Sequence, residues 1–149
     1  MTIKVYKGTP QVNYFTKGDT TIRIVDGAAL TLSATGRLLN VLNDSDDRII
    51  GVGRKTIAVA DTGPVPVMFP SESVTWEVDV DSDGGAASTD VGRFVALDTT
   101  DTNSIGATVD ISDSGIPAFY ITEVVSATKV RGKFARTALR QPQGDAYDS

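Results

Sequence analysis

Histidine and cysteine are both absent from the 149 residues. Histidine is the side chain that ordinarily changes charge near neutral pH. Cysteine is the strongest nucleophile and the soft metal ligand. Without them there is no Ser-His or Cys-His nucleophile pair, no zinc site with nitrogen or sulfur ligands, and no disulfide. Long apolar runs are missing too, since none approaches the roughly 20 residues that span a bilayer. The start, Met1-Thr2-Ile3-Lys4-Val5, has no basic stretch followed by an apolar one. The expectation is therefore assembly in a cytoplasm, with no membrane partner. Carboxylates, lysines and hydroxyls remain as catalysts in principle. The balance nonetheless moves toward a protein that works by shape and association, with no cofactor and no small-molecule substrate.

Hydrophobic residues make up 40% of the chain and charged residues 22%, enough for a core and too few charges for general disorder. The net charge of −5 is unevenly placed. Met1 to Lys55 carries +3, Thr56 to Val125 carries −11 with Arg93 as its one base, and Ser126 to Ser149 carries +3. An acidic middle repels phosphates, so nucleic acid is not an expected partner there. The mixed signs suit either a solvated acidic face or positive ends that meet acidic surfaces on neighbouring subunits.

Strand-length apolar runs recur between strong breakers. Examples are Thr21 to Val25, Ala29 to Leu32, Leu38 to Leu42, Arg48 to Gly53, Thr56 to Val59 and Val65 to Phe69. Their spacing predicts an all-β sandwich or barrel-like domain. The clearest alternation is Ser73 to Asp81. Val74, Trp76, Val78 and Val80 share one face, and Thr75, Glu77, Asp79 and Asp81 share the other. A period of two with one wet face describes an antiparallel strand, with Trp76 as a core anchor. Later strands are expected at Gly92–Leu97, Ala107–Ile111, Ala118–Val125 and Lys129–Arg136, with at most a helical turn near Thr89 to Val91. The pattern predicts an extended N-terminal arm over residues 1–18, a β core over 19–80, and a further β region over 91–140 that forms part of the same domain or a second small β subdomain. A flexible tail is expected over 141–149, and the boundary between the two β regions falls within Asp81 to Asp90.

Two features carry the candidate chemistry. Asp79-Val80-Asp81-Ser82-Asp83-Gly84, with Asp90 at the twelfth position, has the spacing of a calcium loop. A strand approaches it, however, where a helix is usual, and Ala86 stands where a larger aliphatic is usual. An acidic hairpin end explains Asp79, Asp81, Asp83 and Asp90 without metal, so no metal site is expected. Asp44-Ser45-Asp46-Asp47 reads as a second acidic turn, and Gly51-Val52-Gly53-Arg54-Lys55 as a strand with a bulge, since it lacks the Lys-Ser/Thr ending of a phosphate loop. The second feature is basic. Alternation puts Lys129, Arg131 and Lys133 on one side of a strand, with Arg136 beyond. This is an aggregation-resistant edge or a contact stripe for an acidic protein partner, with nucleic acid the lesser alternative because interleaved aromatics are few. On the N-terminal arm, Pro10, Tyr14 and Phe15 are expected to anchor a partner.

At Asp47-Arg48-Ile49-Ile50-Gly51-Val52-Gly53, followed by Val65-Pro66-Val67-Met68-Phe69-Pro70, the chain resembles the capsid decoration proteins, also called cement or head-stabilising proteins, of tailed bacteriophages. The order Gly18-Asp19, Ala28 to Leu32, then these segments follows that family, and the resemblance covers roughly Gly18 to Val80. The chain departs from it at Phe69-Pro70-Ser71-Glu72, where the family often has a glycine. The resemblance implies a β-tulip-like fold and a non-enzymatic virion protein. It would sit on the outer surface of an icosahedral head as a homotrimer and tie major capsid protein subunits together, after synthesis in the host cytoplasm. Two rival readings stay open: a tail-tube or head–tail connector protein, and a calcium-dependent β binding module.

Overall fold

The computed structural model describes residues 3–18, 23–32, 36–40, 48–61, 63–81, 85–98, 107–112 and 117–139. The described residues form eleven strands and two short 3₁₀ turns: β1 Ile3–Lys7, β2 Gln11–Phe15, β3 Ala29–Leu32, β4 Leu38–Asn40, β5 Gly51–Gly53, β6 Val65–Phe69, β7 Thr75–Val80, β8 Phe94–Leu97, β9 Thr108–Asp110, β10 Phe119–Ser126 and β11 Lys129–Phe134. The turns lie at Ser88–Asp90 and Arg136–Ala138. The all-β, barrel-like class read from the alternation is what the chain adopts.

One sheet runs β1-β7-β11-β10-β8-β9. Its last strand returns to β7 through the parallel pairs Asp79–Thr108 and Val80–Val109. That contact closes β7, β11, β10, β8 and β9 into a five-stranded barrel and removes an edge that would otherwise template aggregation. β1 lies on the same side of β7, in register Ile3–Val78, Lys4–Glu77 and Val5–Trp76. The alternation of β7 decides the core. Val78 and Trp76 point inward and are buried, Trp76 with 1% of its surface exposed. Trp76 meets Phe134 edge-on at 5.6 Å, and Phe119 meets Phe134 the same way at 5.6 Å. Edge-to-face packing suits the ring quadrupoles and adds to the burial of large apolar area.

The second sheet runs β2-β6-β5-β3-β4. Both its faces are buried. Leu30, Val65 and Val67 point into a core of their own with Ile24, Leu38 and Ile57. Ala29, Val52 and Met68 point the other way and join the barrel's core with Val74 and Trp76. This two-sided burial explains why Gly51-Val52-Gly53 reads as a continuous apolar run. A Cβ on Gly51 would collide with the Met68 carbonyl and the Val67 side chain, so glycine is required where β5 lies against β6. The chain after β2 returns to β4 through the parallel bridge Lys17–Leu38. Lys17 is only 4% exposed there, and its Nζ donates to the Ala58 and Val59 carbonyls at 2.8 and 2.7 Å. Those two bonds satisfy an ammonium that burial would otherwise penalise heavily.

Three expectations are corrected. Residues 3–15 are not an arm. β1 pairs with β7, and β2 pairs with β6 from Gln11–Phe69 to Phe15–Val65. The chain also does not divide at residues 81–90. β7 belongs with β1 and the strands from Phe94 onward, while the second sheet is built from β2 to β6, so the partition falls between Phe69 and Thr75. Finally, Thr56 to Val59 supplies a single bridge, Ile57–Ile24, and no strand. Residues 141–149 lie outside the described residues.

Candidate functional site: an aromatic cleft between barrel and sheet

The barrel and the second sheet leave a cleft of about 660 Å³ between them. Ile49, Ile50 and Phe69 line it from the sheet side, and Phe94, Tyr120 and Phe134 from the barrel side. Lys133, Arg136 and Glu72 supply charge at its rim. Strand geometry explains the aromatic wall. Phe119 and Tyr120 are successive residues of β10, so they must face opposite ways. Phe119 goes into the core and is fully buried, and Tyr120 goes out. Phe94 is the register partner of Tyr120 on β8, and the two rings lie 4.8 Å apart at a tilt of 51°. Phe94 keeps 49% of its surface exposed. A half-exposed Phe tilted against a Tyr, in a cleft that Arg136 also lines, presents the aromatic and arginine side chains that are enriched at protein interfaces.

The basic stripe divides in two. Lys129 and Arg131 are turned inward electrostatically. Arg131 Nε donates to Glu77 Oε2 at 3.0 Å and its NH1 to Glu123 Oε2 at 3.1 Å. Its guanidinium also lies 3.6 Å over the Tyr6 ring. Lys129 Nζ is 3.6 Å from Glu77 Oε1, and Lys4 Nζ is 3.2 Å from the same oxygen. Glu77 is thus only 7% exposed although it sits on the outer face of β7. Arg131 holds its carboxyl below the usual carboxylate range through a hydrogen bond. Burial opposes that shift, and Lys4 and Lys129 add to it. Lys133 and Arg136 belong to the cleft instead. Lys133 Nζ donates to the Glu72 carbonyl, and Arg136 is exposed.

Among the expected arm residues, Tyr14 points outward and is 68% exposed, whereas Phe15 turns in and packs on Phe69 at 5.9 Å. Pro10 lies on a different groove, beside β1. The structure therefore does not bring Pro10, Tyr14 and Phe15 together with the basic residues. Phe94 and Tyr120, the centre of the cleft, are absent from the sequence-based candidates. The adjacent Phe119-Tyr120 pair is the signal that points to them, since one of two neighbouring strand aromatics has to face out.

The acidic loop is only partly described, because Asp83 lies outside the described residues. Asp90 accepts the Ala87 N–H at 2.8 Å and Arg93 NH1 at 2.6 Å, which together hold its carboxyl below the usual range. It caps the turn at Ser88–Asp90 from within. Asp79 faces Lys129 Nζ at 3.9 Å. Among the described residues, no three carboxylates converge on a point where a cation would sit. Thermal melts in millimolar calcium and in chelator are expected to coincide. A calcium-dependent rise of several degrees, abolished by Asp81→Ala, would overturn that expectation.

The chain matches no protein-family model, no curated protein and no solved structure.

Proposed function

We propose that this is a structural virion protein that decorates the outer surface of a tailed-phage head and bridges major capsid protein subunits. The observation that carries the reading is the cleft, where Phe94 stands half-exposed against Tyr120 and Lys133 and Arg136 also line the wall. Such a surface gives a protein partner an aromatic anchor with charge at the rim. The segments that resemble the decoration family support it from the other side of the cleft. Gly51–Gly53 and Val65–Phe69 are adjacent strands, paired Val52–Met68 and Gly53–Val67. Ile49, Ile50 and Phe69 from these same segments line the cleft. Many such contacts over one head act as a multivalent clamp, because each weak contact is effectively intramolecular once its neighbours have docked.

Purified protein added to heads assembled without it provides the test. Phe94→Asp is expected to reduce occupancy at least tenfold while shifting the melting temperature by no more than about 2 °C, since a half-exposed position tolerates charge. Undiminished occupancy would remove the cleft from the interface. The same reading expects a homotrimer, free or on the head. Light scattering together with copy counting on intact heads decides this, and a hexameric ring in both would favour a tail-tube protein.

A further inference from the structure

β1 is the outer strand of its sheet, and a groove of about 500 Å³ runs beside it. Ile3, Lys4 and Val5 form one wall, Asp26, Arg54 and Met68 the other, and Gly8, Thr9 and Pro10 one end. The backbone of β1 has a defined direction here. Ile3 donates its N–H away from β7, to the Gly27 carbonyl at 2.8 Å. In an antiparallel pair, alternate residues point their backbone groups to alternate sides. Lys4 therefore faces Glu77 on β7, and Val5 points its N–H and C=O into the groove. No described residue takes either group of Val5. The Ile3–Gly27 bond pins the Asp26-Gly27 turn against the start of β1. Gly8, whose φ is +96° and whose Cβ would strike the Ser73 carbonyl, fixes the turn at the other end. The slot is thus a strand edge on which the Ile3 N–H is spent on Gly27 while the Val5 N–H and C=O remain unspent, with walls set by the fold.

We infer that this groove takes one extended segment of another protein chain as an added antiparallel strand on β1. Strand addition draws its affinity from main-chain bonds and its selectivity from side-chain neighbours. Here the charged neighbours are Lys4, already bound to Glu77, and Arg54 and Asp26 on the far wall. No described residue pairs with the Arg54 guanidinium. The segment therefore carries an acidic side chain opposite Arg54. A second copy of this chain is the less suitable donor. Its own β1 edge arrives flanked by walls of its own, which keep two copies of the edge apart. The inference goes beyond the head-binding reading, and its probe is a synthetic peptide, so either can fail alone.

The probe is a capped five-residue peptide that alternates threonine and valine around a central glutamate. It is titrated into ¹⁵N-labelled protein. The expected result is saturable shifts confined to β1 and the groove walls, with exchange of the Val5 amide slowed at least tenfold at saturation. Val5→Pro removes the outward N–H and leaves the Lys4–Glu77 ladder intact, because proline is tolerated where an edge N–H faces out. It should weaken binding at least tenfold. If Val5→Pro fails to fold, Arg54→Glu carries the test. It should reject the glutamate peptide and accept the same peptide with a central lysine. No binding at millimolar peptide, shifts elsewhere, or equal binding by both variants would overturn the inference. So would a concentration-dependent dimer that Val5→Pro abolishes, which would give the edge to a second copy.

Discussion

Gly132→Ala is expected to destabilise the protein by about 3 kcal/mol or more, against a usual gain of roughly 0.5–1 kcal/mol when alanine replaces glycine in a strand. Gly132 is buried on β11, between Trp76 on β7 and Ile121 on β10. Its inward face is the space into which the Phe119 ring packs. A Cβ there would drive into the Tyr120 carbonyl and would come within 2.9 Å of Phe119 Cε2. Neither neighbour can yield cheaply. The carbonyl belongs to a strand paired on both sides. The ring is held edge-on by Phe134, which is itself held by Trp76. Close-packed interiors transmit such an intrusion instead of absorbing it. For a chain of this size, 3 kcal/mol corresponds to a fall in melting temperature of about 6–12 °C. Gly63→Ala is the control. Its new methyl would meet only the Asp61 Oδ1 of a flexible side chain at 3.3 Å, and it should stay within about 1 kcal/mol of the parent. Equal melting curves for the two variants would mean that the barrel core relaxes around position 132.

The contrast between β7 and β1 shows what local pattern can and cannot specify. Trp76, Val78 and Val80 alternate with Glu77 and Asp79, and that period alone sends the first set into the barrel and the second outward. That local alternation suffices, and no partner strand need be known. In β1, Lys4, Tyr6 and Lys7 leave only Ile3 and Val5 as an inward face. What makes it a strand is its ladder with residues about 70 positions away. The same distance hides the fate of the basic stripe. Lys129 and Arg131 read as a docking surface because the acids that neutralise them lie on β7 and β10 and reach them only through sheet register. Closure of the barrel depends on the parallel β7–β9 contact, which has no local signature at all.

Those buried charges set the last expectation. Glu77→Gln should lower stability near neutral pH by about 2 kcal/mol. Breaking a fully enclosed ion pair costs about 3–5 kcal/mol. This site should cost less, because the Lys4 side chain is 61% exposed and solvent screens part of the interaction. The substitution leaves Lys4, Lys129 and Arg131 drawn together around a neutral amide, so the loss combines missing attraction with repulsion among the three. The pH dependence separates charge from packing. The Glu77 carboxyl is held below its ordinary value of 4.5, first by the Arg131 hydrogen bond. A carboxylate with a lowered folded-state pKa contributes its full stabilisation above the unfolded value and loses it as pH falls through the folded one. The parent should therefore weaken as pH drops below about 4.5. Asp90 is shifted the same way and remains in both proteins, so both keep part of this acid limb. The gap between parent and Glu77→Gln should be widest near neutrality and close once Glu77 is protonated, because a protonated acid and an amide are then electrostatic equals. Denaturant melts at a series of pH values measure that gap directly. A gap that stays constant into acid would show that Glu77 stabilises the sheet through its shape and not its charge.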